Sequence, residues 1–166
     1  MSIHISIGTS TADSYVSTAS ADAYFLAKEN SDSWDNISNA STGTLGSTAR
    51  KENLLKQATR EMDRSMRFHE SKYYNYPIGN TSYQALQFPR SSNINDNSAL
   101  YIPDEIKFAT YEQALWVMIR DGKKTTNEGL VIDMPIIGKD AYDYLRLWLK
   151  RQVEGSGKWN WQGSDF

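Results

Sequence analysis

The stretch IPDEIKFATYEQALWVMIRDG, Ile102 to Gly122, decides the fold. Pro103 suits a first helical position, where no backbone N–H is needed, and Asp104 and Glu105 suit the positive end of the helix dipole. Phe108, Tyr111, Leu115 and Met118 recur at steps of three or four and form one stripe. Ala114, Trp116, Val117 and Ile119 make the second half apolar nearly all round, which predicts a helix buried on several sides and ended by Gly122.

A second helix is expected upstream, over 48–66, started by Ser47 or Thr48. Leu54, Leu55, Ala58, Met62 and Met66 line its apolar stripe, and Lys56, Arg60, Arg64 and Arg67 line a basic one. A third is read at TASADAYFLAKEN (18–30), capped by Thr18 or Ser20, with Trp34 following in a polar loop. A fourth is read over 139–153 on Tyr142, Leu145, Leu149 and Val153, with Trp148 beside them and Asp140 and Asp143 in its first turn. The alternation in IHISI (3–7) predicts a short strand. GLVIDMPIIG (129–138) is β-like, but Pro135 demotes it to an edge strand or extended arm. The expectation is a mainly α fold, a small bundle of about four helices with a minor β element. A domain of residues 1–154 is followed by a flexible tail, 155–166.

Composition sets outer limits. The 166 residues suit one domain large enough to bury a core without disulfides, and with no cysteine there is none to form. The start of the chain lacks the basic and apolar regions of a signal peptide, and no apolar run nears the roughly 20 residues that span a bilayer. A cytoplasmic origin without membrane attachment is expected, and the sequons at 39–41 and 80–82 are read as accidental. The net charge of −2 gives no global attraction to nucleic acid. The charge is uneven: residues 1–46 carry one Lys against five acids, and residues 47–90 carry eight Lys and Arg against four acids. Such an acidic head and basic middle either pair between copies of the chain or form solvated faces.

Residues 68–101 show no sustained period, and a segment of that length is usually functional or disordered. At its centre stands YQALQFPR (83–90). Pro89 pushes Phe88 to an extended conformation, in which Leu86 and Phe88 point the same way. They plug the domain's own core, with Gln84, Gln87 and Arg90 bonding the backbone or a neighbour, or else the loop docks on another subunit.

Five blocks in order then carry a resemblance: SYVSTASADAYFLA, a Trp, KENLLKQATREMDR, YQALQFPR and IPDEIKFATYEQAL, spanning about residues 14–118. They resemble the tailed-phage head–tail connector proteins, also called head-completion or adaptor proteins, with Phe88 where the family usually has Trp. Some relatives are labelled DnaT-like single-stranded-DNA-binding proteins. The connector resemblance implies a structural virion protein of the neck, assembled in the host cytoplasm. Its homo-oligomeric ring, typically of twelve copies, sits between the portal protein and a tail or stopper protein and extends a channel for duplex DNA. The DnaT-like label implies binding of single strands instead.

The residues expected to contact partners are Tyr73, Tyr74 and Tyr76 in the long loop and Trp159, Trp161 and Phe166 in the tail, because aromatic side chains anchor interfaces. The other reading of each group is packing on its own domain. Arg60, Arg64 and Arg67 are candidates for a DNA-channel or subunit contact. For single strands, RSMRFHESKYYNY (64–76) offers cations followed by aromatic rings. His4 and His69 match no metal-ligand pattern, and no phosphate cradle or nucleophile elbow is present. No enzyme activity, cofactor or metal is expected.

Overall fold

The computed structural model describes residues 2–28, 32–35, 37, 47–70, 72, 84–95, 99–126 and 135–149. Five helices follow in order: α1 (Thr18–Leu26), α2 (Asp32–Asp35), α3 (Ser47–Ser65), α4 (Asp104–Thr126) and α5 (Lys139–Leu145). The protein is mainly helical, as expected. Among the described residues the β component is three isolated bridges, Phe68 with Leu149, Lys72 with Arg90 and Ile94 with Leu100. No helix among them is long and apolar enough to cross a membrane.

The two long helices form where the 3.6-residue period is strongest. α3 buries Leu54, Leu55, Ala58, Thr59 and Met62, and α4 buries Ile106, Ala109, Ala114 and Val117 opposite them. Of the stripe read from the sequence, Tyr111 is buried and Phe108, Leu115 and Met118 are only half-buried. α4 runs four residues past Gly122, so that glycine is not its stop. Pro103 lies just before the helix, its carbonyl accepting from the Ile106 and Lys107 amides.

Other boundaries differ for local reasons. α1 is capped by Ser17, in a reciprocal capping box with Ser20, and it ends at Leu26. Trp34 lies in α2, fully buried at 0% exposure and stacked on Phe25, with its indole N–H donated to Asp22. A large ring with a satisfied N–H is a core residue despite its polar neighbours. The expected strand at 3–7 is absent. The Asp13 amide donates to the His4 carbonyl, the His4 amide donates to the Asp13 carboxylate, and Ile5 and Ile7 are exposed. α5 is cut to seven residues and gives way to a turn at 146–148. Gly138 leads into it against the Trp116 side chain; a Cβ there would meet Trp116 Cγ at 2.8 Å. The β-like run at 129–134 and the 155–166 tail lie outside the described residues.

The loop 84–90 plugs the core. Phe88, 1% exposed, packs edge-on to Tyr15, Phe68 and Trp148, and Leu86 joins the same cluster half-buried. The Phe88–Pro89 bond is cis. A buried loop must satisfy its backbone polar groups, and this one does so with side chains. The Gln87 amide donates to Asp63 Oδ2 at 2.9 Å and to the Tyr15 hydroxyl at 3.0 Å, and the Phe88 amide also donates to Tyr15. The Gln84 side chain donates to the carbonyls of Leu86 and Pro89. Arg90 lies over the Phe68 and Phe88 rings and donates to the Gln87 side chain and the Glu70 carbonyl.

Tyr15 donates to Asp63, which joins the loop to α3. Burial pushes the Asp63 carboxyl up to about 6, although Tyr15, the Gln87 amide, Lys72 and Arg90 all pull it down. Burial and the Asp63 charge together raise the Tyr15 hydroxyl. A carboxyl raised in the folded state binds its proton more tightly there than in the unfolded chain. Its ionised form therefore costs stability, and that cost sets in as pH rises from about 4 to about 6.

Two outcomes follow from this packing. Phe88→Ala removes a ring from a closed aromatic cluster and should lower unfolding free energy by about 3–5 kcal/mol in urea titration; a loss below about 1 kcal/mol would show that the loop does not close the core. Wild type should also lose up to about 3 kcal/mol relative to Asp63→Asn between pH 4 and pH 7. A difference that moves the other way would mean that the carboxylate is favoured by its site.

Candidate functional site

The segment REMDRSMR, Arg60 to Arg67, alternates cations with acids, so its sequence does not show which charge faces solvent. The fold decides this by turning both acids inward. Glu61 accepts a two-pronged pair from Arg120 of α4, at 2.6 and 3.1 Å, and a bond from Gln113 at 2.8 Å. The same Gln113 and Arg120 hold the Ile136 carbonyl, so Glu61 knits α3, α4 and the approach to α5 together. Hydrogen bonding to Glu61 raises the Arg120 guanidinium. Asp63 is taken up by Tyr15 and Gln87.

Arg60, Arg64 and Arg67 are all exposed. At steps of four and three they share one face of α3 and its exit. None of them makes an ion pair among the described residues, whereas Lys28, Lys51, Lys56, Lys107, Arg120 and Lys139 all do. The acidic head and basic middle pair within one chain, since Asp13 holds Lys56 at 2.9 Å and Asp22 holds Lys51 at 2.8 Å. Lys56, read from the sequence as part of the basic stripe, is buried and also donates to the Ser2 carbonyl. The basic face is thus narrower than the sequence suggests, and no acid among the described residues neutralises it.

Beyond α3 the chain exits through Phe68, bridged to Leu149, and His69, whose amide donates to the Trp148 carbonyl at 2.8 Å. Glu70 is the nearest acid on this exit. Its carboxylate is occupied by Ser91 and the Ser92 amide, and hydrogen bonding, chiefly from Ser92, holds it below the usual carboxylate range. Arg90, which could have added a cation here, is buried under the loop and not available at the surface.

Tyr73, Tyr74, Tyr76, Trp159, Trp161 and Phe166 lie outside the described residues. His4 and His69 join no metal-binding group; no cluster of three His, Asp or Glu able to hold an ion occurs among the described residues. A small cleft between α4 and α5, lined by Leu115, Trp116, Lys139 and Asp140, carries opposed charges and no convergent polar set. The exposed arginine face is the feature with a clear chemical use, since exposed guanidinium groups in a row bind phosphates.

Among known proteins, no curated protein and no solved structure matches the chain. Residues 1–139 match a family described as "Putative DnaT-like ssDNA binding protein". This match contains all five blocks that resemble head–tail connectors, and its description names no virion part, so the connector role is corrected. The ring of twelve, the portal and tail partners and the place in the virion neck rested on that resemblance alone. With residues 1–139 of 166 matched, the chain belongs to this DnaT-like family.

Proposed function

We propose that the protein binds single-stranded DNA without sequence preference, through the arginine face of α3, and performs no reaction. The observation that carries this reading is the sorting of REMDRSMR: both acids are consumed by the core and three arginines are left in solvent. The family description supports the same class of ligand. Binding of single strands needs cations that follow the backbone and rings on which bases stack. Tyr73, Tyr74 and Tyr76 come six to nine residues after Arg67 in the sequence and are the stacking side chains of this proposal.

A chain with a net charge of −2 does not attract nucleic acid as a whole, so binding depends on this local face and is sensitive to salt. Three phosphate contacts to a single strand give a slope of about −2 for log K against log salt, or roughly a 20-fold loss of affinity between 50 and 200 mM.

Fluorescence anisotropy with a labelled oligo(dT) of about 20 nucleotides tests the reading. Wild type should bind with that salt dependence. Arg64→Ala/Arg67→Ala should weaken binding about tenfold or more at low salt and flatten the slope by about 1.4, with the thermal midpoint unchanged. Absence of binding by the wild type at low salt, or equal binding by the double variant, would defeat the proposal.

A further inference from the structure

We infer that the turn at Arg146–Trp148 is the second wall of this strand-binding surface, with Arg146 taking a phosphate and Leu147 lying under a base. The inference rests on the strand-binding reading and adds residues to it. From the sequence these positions belong to the outer turns of a longer helix. The structure stops α5 at Leu145 and folds the next three residues back against the exit of α3.

The placement is fixed by three contacts. The His69 amide donates to the Trp148 carbonyl at 2.8 Å, Phe68 and Leu149 form an antiparallel bridge, and the Trp148 ring packs edge-on to Phe88. The turn is thereby tied to Phe68 and His69, the residues that directly follow Arg67. Arg146 is exposed and, like the α3 arginines, has no ion pair among the described residues. Asp143, three residues before it in the sequence, is paired with Lys139 at 3.6 Å. Glu70, which follows His69, is bonded to Ser91 and Ser92.

Leu147 is 72% exposed although the chain has an apolar cluster open to its neighbours Trp148 and Leu149. An exposed leucine alone needs no explanation. Here it follows the exposed Arg146 and precedes two residues tied to the exit of α3, and charge complementarity selects the occupant. A polyanion with flat apolar bases satisfies both groups, whereas an acidic peptide satisfies only the first. A surface with cations on two sides also tracks a strand better than one helix face, because successive phosphates of a flexible single strand can alternate between the two walls.

Full-length variants distinguish the wall from the function itself. Arg146→Ala should weaken oligo(dT) binding about three- to tenfold at low salt and flatten the salt slope by about 0.7, and Arg146→Lys should restore that slope. Leu147→Ala should weaken binding to a similar extent with the slope unchanged, since it carries no charge. Photo-crosslinking of wild type to a 5-iododeoxyuridine oligonucleotide should place adducts within 146–148. If Arg146→Ala and Leu147→Ala bind like wild type while Arg64→Ala/Arg67→Ala does not, the wall is wrong and the function stands. Crosslinks confined to other segments would overturn it equally. If wild type binds no oligonucleotide, the function and the wall fall together.

Discussion

The hydrogen bonds from the Gln87 and Phe88 amides to Asp63 and Tyr15 are the constraint on which the rest of this structure depends. A polar loop can enter a core only if its backbone finds partners there, because an unmet N–H costs about as much as a lost hydrogen bond. Tyr15 and Asp63 come from distant parts of the chain and meet over α3. Together they admit Phe88 to the aromatic cluster of Phe68 and Trp148. The arrangement carries a cost, since Asp63 must be ionised in a site where burial raises its carboxyl to about 6. Two buried donors, Arg90 Nε and Asn93 Nδ2, have no hydrogen-bond partner among the described residues.

The same economy governs charge. α3 carries acids and bases in alternation, and each acid between Arg60 and Arg67 is used to hold the core together. Glu61 binds Arg120 and Gln113 of α4, and Asp63 binds the loop. The lysines nearer its start are neutralised by Asp13 and Asp22. What reaches solvent is a short cationic face on a protein whose total charge is slightly negative. Stability and surface charge are linked through these choices: Glu61 or Asp63 left outside would have weakened both the helix packing and the cationic surface.

The sequence showed the long helices well, because the periods of Leu54, Leu55, Ala58 and Met62 and of the α4 stripe are strong enough to fix both type and position. It also pointed correctly to Leu86 and Phe88 as core residues, through Pro89 and the alternation of the loop. Short elements were less legible. A serine one residue earlier took the α1 cap, and α5 ended where tertiary contacts to Phe68 and His69 outweighed its helical period. Trp34 was hidden by polar neighbours although it is fully buried. Of the candidate site, Arg60, Arg64 and Arg67 could be read directly. That Lys56 would be withdrawn, and that Trp148 and Leu149 would be held against His69 and Phe68, depends on contacts between residues far apart in the chain, which no local pattern records. The family resemblance read from five blocks was too specific, since motifs that place core residues report a fold more reliably than an assembly.

Amide hydrogen exchange, resolved residue by residue with and without a single-stranded oligonucleotide, tests the account most directly. The Gln87 and Phe88 amides should exchange slowly in both states, and added protection should concentrate at 60–70 and 146–149. Fast exchange of Gln87 and Phe88 in the free protein would contradict it, because the loop would then lie outside the core that holds the arginine face in place.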